Sequence, residues 1–231
     1  MKKLLSILVF VLLALSTAPL CSASNTGIPA ADEAGEPDYL SAYAPVLDTC
    51  RSFLDGAEPE EMDITEQGDY YFVLGETGIS EMAGNGGNLG FFLHDLDDNG
   101  VPELLIGATG AEYYDETLIY DMFTLDDGRP VRVLASSARI RYYLAEEDMI
   151  LHQGSGGASW YLSILCMLDG HELKLAYGLV MADEQCFEVF EDRESLFMDR
   201  LPSDRSITNE EFYQLLDEME ELTVPMELTL F

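Results

Sequence analysis

The sequence predicts an α+β fold: an antiparallel β-meander with an N-terminal and a C-terminal helix packed against it. Two Asp-Gly pairs, at 127–128 and 169–170, each separate two strand-like runs, which is a strong hairpin signal. Apolar residues recur at helical spacing from residue 39 to 54 and again from 212 to 219. These patterns leave open whether the meander forms a plain sheet or a partial propeller-like arrangement.

The first 23 residues have the composition of a signal peptide. Lys2 and Lys3 are followed by the uncharged apolar run 4–20, and Cys21-Ser22-Ala23 supplies small residues for cleavage after Ala23. A retained membrane anchor is the alternative. Lipidation at Cys21 is disfavoured, because bacterial lipoprotein signals place a small residue where Leu20 stands. The predicted location is therefore extracellular or in the cell envelope.

The rest of the chain divides into a short leader and one domain. Residues 24–37 are small, acidic and turn-prone, and predict a flexible acidic leader. Residues 38–231 are predicted to form a single α+β domain, since the chain is 48% hydrophobic and 10% aromatic. That composition is sufficient for a sizeable core.

Individual elements follow from local signals. Pro45 marks the start of the first helix or a kink in it. Residues 139–144 alternate polar and apolar side chains, as in a strand with one wet face. Thr208 and Glu211 form a capping box for the last helix, and the tail 222–231 is expected to pack back on the domain. The predicted hairpin strands are 117–125 with 131–135, and 159–168 with 171–178.

The charge of the chain excludes some classes of partner. It contains 44 acidic and 11 basic residues, a net charge of −33, and signal cleavage would make this −35 by removing two lysines. Such a surface repels phosphate backbones and anionic membranes, so no nucleic-acid binding is expected, and no membrane insertion after cleavage. It attracts divalent cations.

The segment from residue 95 to 103 carries the clearest chemistry. Asp95, Asp97, Asn99 and Glu103 occupy positions 1, 3, 5 and 9 of a calcium loop, with a glycine at position 6. The carbonyl of Val101 at position 7 can add a backbone ligand, and Leu96 and Asp98 are expected to point away from the ion. The alternative is a metal-free turn in which the aspartates accept backbone N–H groups.

The loop is not an EF-hand, since Ile106 stands where the bidentate glutamate belongs and the flanks are strand-like. Residues 91–107 resemble the FG-GAP/VCBS-like, integrin-type calcium loop found in uncharacterised secreted proteins of Gram-positive anaerobes. The resemblance implies that Glu103 completes the site, and it implies no activity.

Three cysteines remain after cleavage: Cys50, Cys166 and Cys186. Cys166 and Cys186 fall on neighbouring predicted strands and are the best candidate disulfide pair. Buried free thiols are the alternative, because nothing else resembles a disulfide-dense scaffold.

Two sets of residues are candidates for catalysis or for sugar binding. A pair of His152 with Ser155 in the loop 154–157 is conceivable, but no strand-elbow-helix context supports it. Tyr113, Tyr114 and Trp160 could form a sugar-binding platform, although core packing is the commoner fate of such residues.

The sequence thus predicts a secreted calcium-binding protein, a calcium-stabilised binding or interaction module rather than an enzyme. Its ligand is unknown, with a carbohydrate or an envelope protein as candidates, and Ca²⁺ would be structural. The alternatives are a secreted hydrolase acting on polysaccharide or peptide, and a structural cell-envelope protein.

Overall fold

The computed structural model describes residues 38–56, 88–109, 118–137, 139–157, 159–190 and 205–231. The predicted signal peptide and leader lie outside these residues. The helices are α1 (Tyr39–Ala42), α2 (Ala44–Leu54) and α3 (Asn209–Glu220). The strands are β1 (Asn88–His94), β2 (Glu103–Thr109), β3 (Leu118–Asp126), β4 (Arg129–Ala135), β5 (Ile140–Leu144), β6 (Ile150–Gly157), β7 (Trp160–Asp169), β8 (Glu172–Ala182), β9 (Gln185–Phe190), β10 (Arg205–Ile207) and β11 (Thr229–Leu230).

All eleven strands belong to one antiparallel sheet, in the order β10-β9-β8-β7-β6-β5-β3-β2-β1-β11. The sheet forks at β3. Its residues 118–119 pair with β5, whereas residues 121–126 pair on the same edge with β4. Ser136, which follows β4, donates through its N–H to the Tyr120 carbonyl at 2.7 Å, between these two pairings.

The helix boundaries have local causes. Asp38 caps α1 by accepting a hydrogen bond from the Ser41 N–H at 3.1 Å. Pro45 lies in the first turn of α2, where its missing N–H costs no intrahelical bond. The Thr208–Glu211 capping box at the start of α3 is present with both reciprocal bonds.

The core consists of apolar clusters on the faces of the bent sheet. Helix α2 covers β1–β3, and α3 covers β6–β9. A third cluster unites side chains of the β1–β4 half with side chains of the β5–β9 half, so these two parts of the sheet pack on each other. Its buried members are Leu96, Leu105, Ile119, Met122, Leu134, Leu144, Ile150, Leu168 and Met226.

The α+β architecture and both predicted hairpins are confirmed. The tail also packs back on the domain: Met226 is buried, and residues 229–230 pair with β1. The described residues form one continuous sheet, so no propeller is present among them. The predicted loop 154–157 is wrong, since these residues complete β6 and pair with β7. None of the three helices described here is long and apolar enough to cross a membrane.

Candidate metal centre

The predicted calcium loop joins β1 to β2. These strands pair along their whole length, from Asn88 opposite Thr109 to His94 opposite Glu103. Asp95 directly follows β1, and Glu103 is the first residue of β2. The hairpin therefore holds the first and the last predicted side-chain ligand at the same end of two adjacent strands.

Three carboxylates converge in this loop. One oxygen atom from each of Asp95, Asp97 and Glu103 lies within 4.8 Å of the other two. Glu103 is fully buried, whereas Asp95 and Asp97 are half-buried. Carboxylate oxygens are hard ligands that suit Ca²⁺, which tolerates irregular geometry. The cluster could hold a metal ion.

Backbone N–H groups of the loop orient the two aspartates. Asp95 accepts from the Asn99 N–H at 3.1 Å and from the Gly100 N–H at 2.8 Å. Asp97 accepts from the Asn99 N–H at 3.3 Å. The chain turns through positive φ at Asp98 (54°) and Gly100 (84°). A metal-free aspartate turn would use the same bonds, but a carboxylate oxygen has two lone pairs and can also bind a cation.

Glu103 is the most deeply buried of the three acids. Its carboxylate accepts from the Leu96 N–H and from the Thr124 hydroxyl, both at 2.9 Å. Burial raises the pKa of Glu103 to about 7, and the nearby charges of Asp97 and Asp95 add to the rise. Burial also raises the pKa of Asp97. Within the described part of the chain, no basic side chain forms an ion pair with any of these three acids.

Contacts from distant elements hold the outside of the loop. Tyr39 donates its hydroxyl to the Gly100 carbonyl at 2.6 Å, and Tyr43 donates to the Pro102 carbonyl at 2.9 Å. The Gly170 N–H, in the β7–β8 turn, donates to Asp97 at 3.3 Å. The loop is therefore attached both to the N-terminal helices and to a hairpin in the other half of the sheet.

A further contact lies beside the loop. His94 Nε2 is 2.6 Å from Asp148 Oδ1, and the His94 ring stacks on Phe92. Asp148 belongs to the β5–β6 turn, in which both Glu147 and Asp148 have positive φ. This turn thus also reaches the end of β1.

The remaining predicted ligands act differently from the three acids. Asn99 accepts from the Val101 N–H at 2.6 Å, so its amide oxygen stabilises the turn. Ligation by Asn99 and by the Val101 carbonyl remains a prediction. Asp98 is exposed, and Leu96 is buried in the cluster between the two parts of the sheet. Both therefore lie outside the acidic cluster, as expected.

Among the described residues, four that donate hydrogen bonds to the loop from distant segments were not predicted: Tyr39, Tyr43, Thr124 and Gly170. Each is separated from its partner by 21 to 73 residues along the chain. No local pattern marks them. Only the Asp-Gly signal at 169–170 placed one of them correctly, as part of a turn.

The candidate pair of His152 and Ser155 does not assemble. His152 and Ser155 are three positions apart on β6, so their side chains project from opposite faces of the sheet. The Ser155 hydroxyl instead lies 3.2 Å from the Gly157 carbonyl. Trp160 is partly buried against an apolar cluster. Tyr113 and Tyr114 lie outside the described residues.

The candidate disulfide is also wrong. Cys166 lies on β7 and Cys186 on β9, with β8 between them. They belong to different apolar clusters, on opposite faces of the sheet. Both are free and buried, as is Cys50, so the alternative of buried free thiols is confirmed.

No protein-family model, no curated protein and no solved structure matches this chain. The resemblance to the FG-GAP/VCBS-like loop therefore rests on residues 91–107 alone. It remains a prediction.

Proposed function

We propose that the protein is an exported, calcium-stabilised binding module in which Asp95, Asp97 and Glu103 hold one Ca²⁺ ion. The observation that carries this proposal is the convergence of their oxygens within 4.8 Å, one carboxylate being fully buried. Because no described basic side chain pairs with them, a bound cation would offset their mutual repulsion. Asn99 and the Val101 carbonyl would complete the protein ligands, and water the remaining positions.

The ligand chemistry favours calcium over other divalent ions. The three grouped side chains offer only oxygen, whereas protein zinc sites characteristically include thiolate or imidazole ligands. Mg²⁺ demands near-ideal octahedral geometry and keeps most of its waters. In this half-buried loop one carboxylate lies on the sheet and two lie on the turn. Such an arrangement suits Ca²⁺, which is larger and tolerates irregular coordination geometry.

The proposed role of the ion is structural. The polar groups around the carboxylates are backbone N–H groups and hydroxyls already engaged in hydrogen bonds. An ion there would hold the loop against the sheet and leave recognition of a carbohydrate or envelope protein to the remaining surface. Export fits this role, since extracellular calcium modules bind with Kd of about 10⁻⁴–10⁻³ M.

The test is calcium calorimetry on the purified protein, with thermal unfolding in calcium and in chelator. A single-site heat is expected. At a calcium concentration of about a hundred times Kd the ion adds about 2.7 kcal/mol of stability, which raises Tm by roughly 5–10 °C. The heat should disappear in Asp95→Asn and Glu103→Gln.

Asp98→Asn is the matched control. Asp98 is exposed and lies outside the cluster, and asparagine tolerates its positive φ of 54°. It should bind calcium like the wild type. Absence of heat and of any Tm shift at about 100 mM calcium, a hundred times the weakest expected Kd, would refute the metal site and leave an aspartate turn.

A further inference from the structure

The N-terminal helices form a cover over one face of the sheet. Tyr43, at the end of α1, and Val46, Leu47 and Cys50 of α2 are all buried against β1–β3. The opposing strand residues are themselves apolar and buried, among them Leu104 and Ile106. Lifting these helices would expose a continuous apolar surface.

The same helices contact the calcium loop through two hydroxyls. Tyr39 and Tyr43 are four residues apart and therefore lie on the same side of the helical turn. Their hydroxyls donate to the carbonyls of Gly100 and Pro102. Val101, whose carbonyl is the predicted backbone ligand, lies between those carbonyls. Burial raises the pKa of the Tyr43 phenol, which therefore remains a neutral hydrogen-bond donor.

The bonds to Gly100 and Pro102 can form only when the loop is in its turn conformation and the helices are docked, whereas the longer contact of the Tyr43 hydroxyl with the Phe123 carbonyl, at 3.3 Å, needs docking alone. A ligand that binds one arrangement of the loop more tightly shifts the population toward it. An ion held by Asp95, Asp97 and Glu103 would select the turn that presents the two carbonyls to the tyrosines.

We propose that calcium binding at the loop and docking of the N-terminal helices are coupled, so that the ion locks α1 and α2 onto the sheet. The proposal rests on the proposed function and adds to it a conformational response. The coupling must be reciprocal. If loss of calcium favours undocking by a given factor, then undocking lowers the calcium affinity by the same factor. Loss of either tyrosine hydrogen bond should shift the equilibrium between docked and undocked helices by about three- to tenfold.

Cys50 gives a direct readout of docking. Its thiol belongs to α2, is fully buried in the cluster between that helix and the sheet, and is free; burial raises its pKa to about 12. A thiol reagent can therefore modify it only when the helices open. Cys186 lies in the cluster beneath α3 and serves as an internal reference.

The experiment measures the rate of alkylation of each cysteine in the whole protein, with calcium and with chelator, by mass spectrometry of the labelled peptides. Calcium should slow the labelling of Cys50 about tenfold more than that of Cys186, because Cys186 reports only opening of the rest of the domain. In Tyr39→Phe/Tyr43→Phe, calorimetry should show calcium affinity reduced about tenfold, and the protection of Cys50 should be lost. Tyr213→Phe, at an exposed position on α3, is the control.

The outcomes separate the two proposals. Calcium heat with Cys50 and Cys186 slowed to the same extent, or with neither slowed, would overturn the coupling and leave the proposed function intact. Absence of heat in the wild type would overturn both. If the double variant does not fold, Tyr39→Phe alone decides, since the Tyr39–Gly100 bond is exposed and its loss should weaken calcium binding by about threefold.

Discussion

Thr124 and Glu103 form a hydrogen bond between two buried side chains: Thr124 Oγ1 donates to Glu103 Oε1 over 2.9 Å. Glu103 on β2 and Thr124 on β3 lie opposite each other on adjacent antiparallel strands, next to the Leu104–Phe123 pair. The bond holds the glutamate at the end of the sheet where Asp95 and Asp97 reach it. Glu103 is therefore positioned by the sheet, whereas the two aspartates are positioned by the loop.

Replacing Thr124 with valine removes this donor and keeps the side-chain shape. We expect Thr124→Val to weaken calcium binding by about tenfold, because partners of metal ligands contribute on the order of 10–100-fold to affinity. Calorimetry measures the change. Thr124→Ser keeps the hydroxyl and should bind like the wild type; equal affinity in the valine variant would show that Thr124 does not position Glu103.

His152 should make the protein sensitive to mild acid. It is buried, stacks on Tyr142 with ring centroids 4.6 Å apart, and has no hydrogen bond at Nε2 among the described residues. Burial lowers its pKa from 6.5 to about 4. Since the folded pKa is depressed, the histidine's contribution to stability is present above pH 6.5 and is lost as pH falls to 4, by roughly 3 kcal/mol.

Urea unfolding between pH 7 and 4 in chelator measures this loss. His152→Phe should flatten the profile, while His171→Asn, at an exposed turn, is the control. An unchanged profile in the phenylalanine variant would assign the acid sensitivity to other groups.

Asp121 should destabilise the protein at high pH. It is fully buried on β3, neither oxygen accepts a hydrogen bond from the described residues, and Arg132 Nη1 lies 3.7 Å away. Burial raises the pKa of Asp121 to about 8, although the Arg132 charge opposes the rise. For an acid with a raised folded pKa, stability is fully present below pH 3.8 and is lost as pH rises through 8.

Asp121→Asn removes this charge. Its urea midpoint should exceed that of the wild type at pH 9, and the difference should shrink toward pH 5. Asp126→Asn, an exposed residue of the same strand, should show no such trend. A constant difference across this pH range would contradict the assignment.

One substitution in the β8–β9 turn should raise the free energy of unfolding. Asp183 and Glu184 have φ of 47° and 66°, a pair of positive values as in a type I′ turn, which prefers Asn-Gly or Asp-Gly. Asp127-Gly128, with φ of 48° and 73°, shows the favoured pair in this protein. Glu184→Gly should stabilise by about 0.5–1 kcal/mol in urea unfolding, since glycine adopts this φ without steric cost. Gly128→Ala should lower the free energy of unfolding. A less stable Glu184→Gly variant or a more stable Gly128→Ala variant would contradict this explanation.

Several elements could be predicted because their causes are local. The Asp127-Gly128 turn, the Thr208–Glu211 capping box and the α3 stripe depend on residues within one or two turns of each other. Which strands lie next to each other was harder to predict from local signals. The suggested Cys166–Cys186 pair failed because β8 lies between β7 and β9 and keeps the two cysteines two strands apart.

For the candidate site, the order of residues is enough to predict which acids meet, because Asp95, Asp97 and Glu103 lie on one β-hairpin and its loop. What encloses the loop depends on contacts between distant segments. Tyr43 and Gly170 reach it because a helix docks on the sheet and the sheet bends back on itself, both driven by burial of apolar faces that belong to distant segments. Such burial depends on the whole arrangement of strands, which no local pattern of residues encodes.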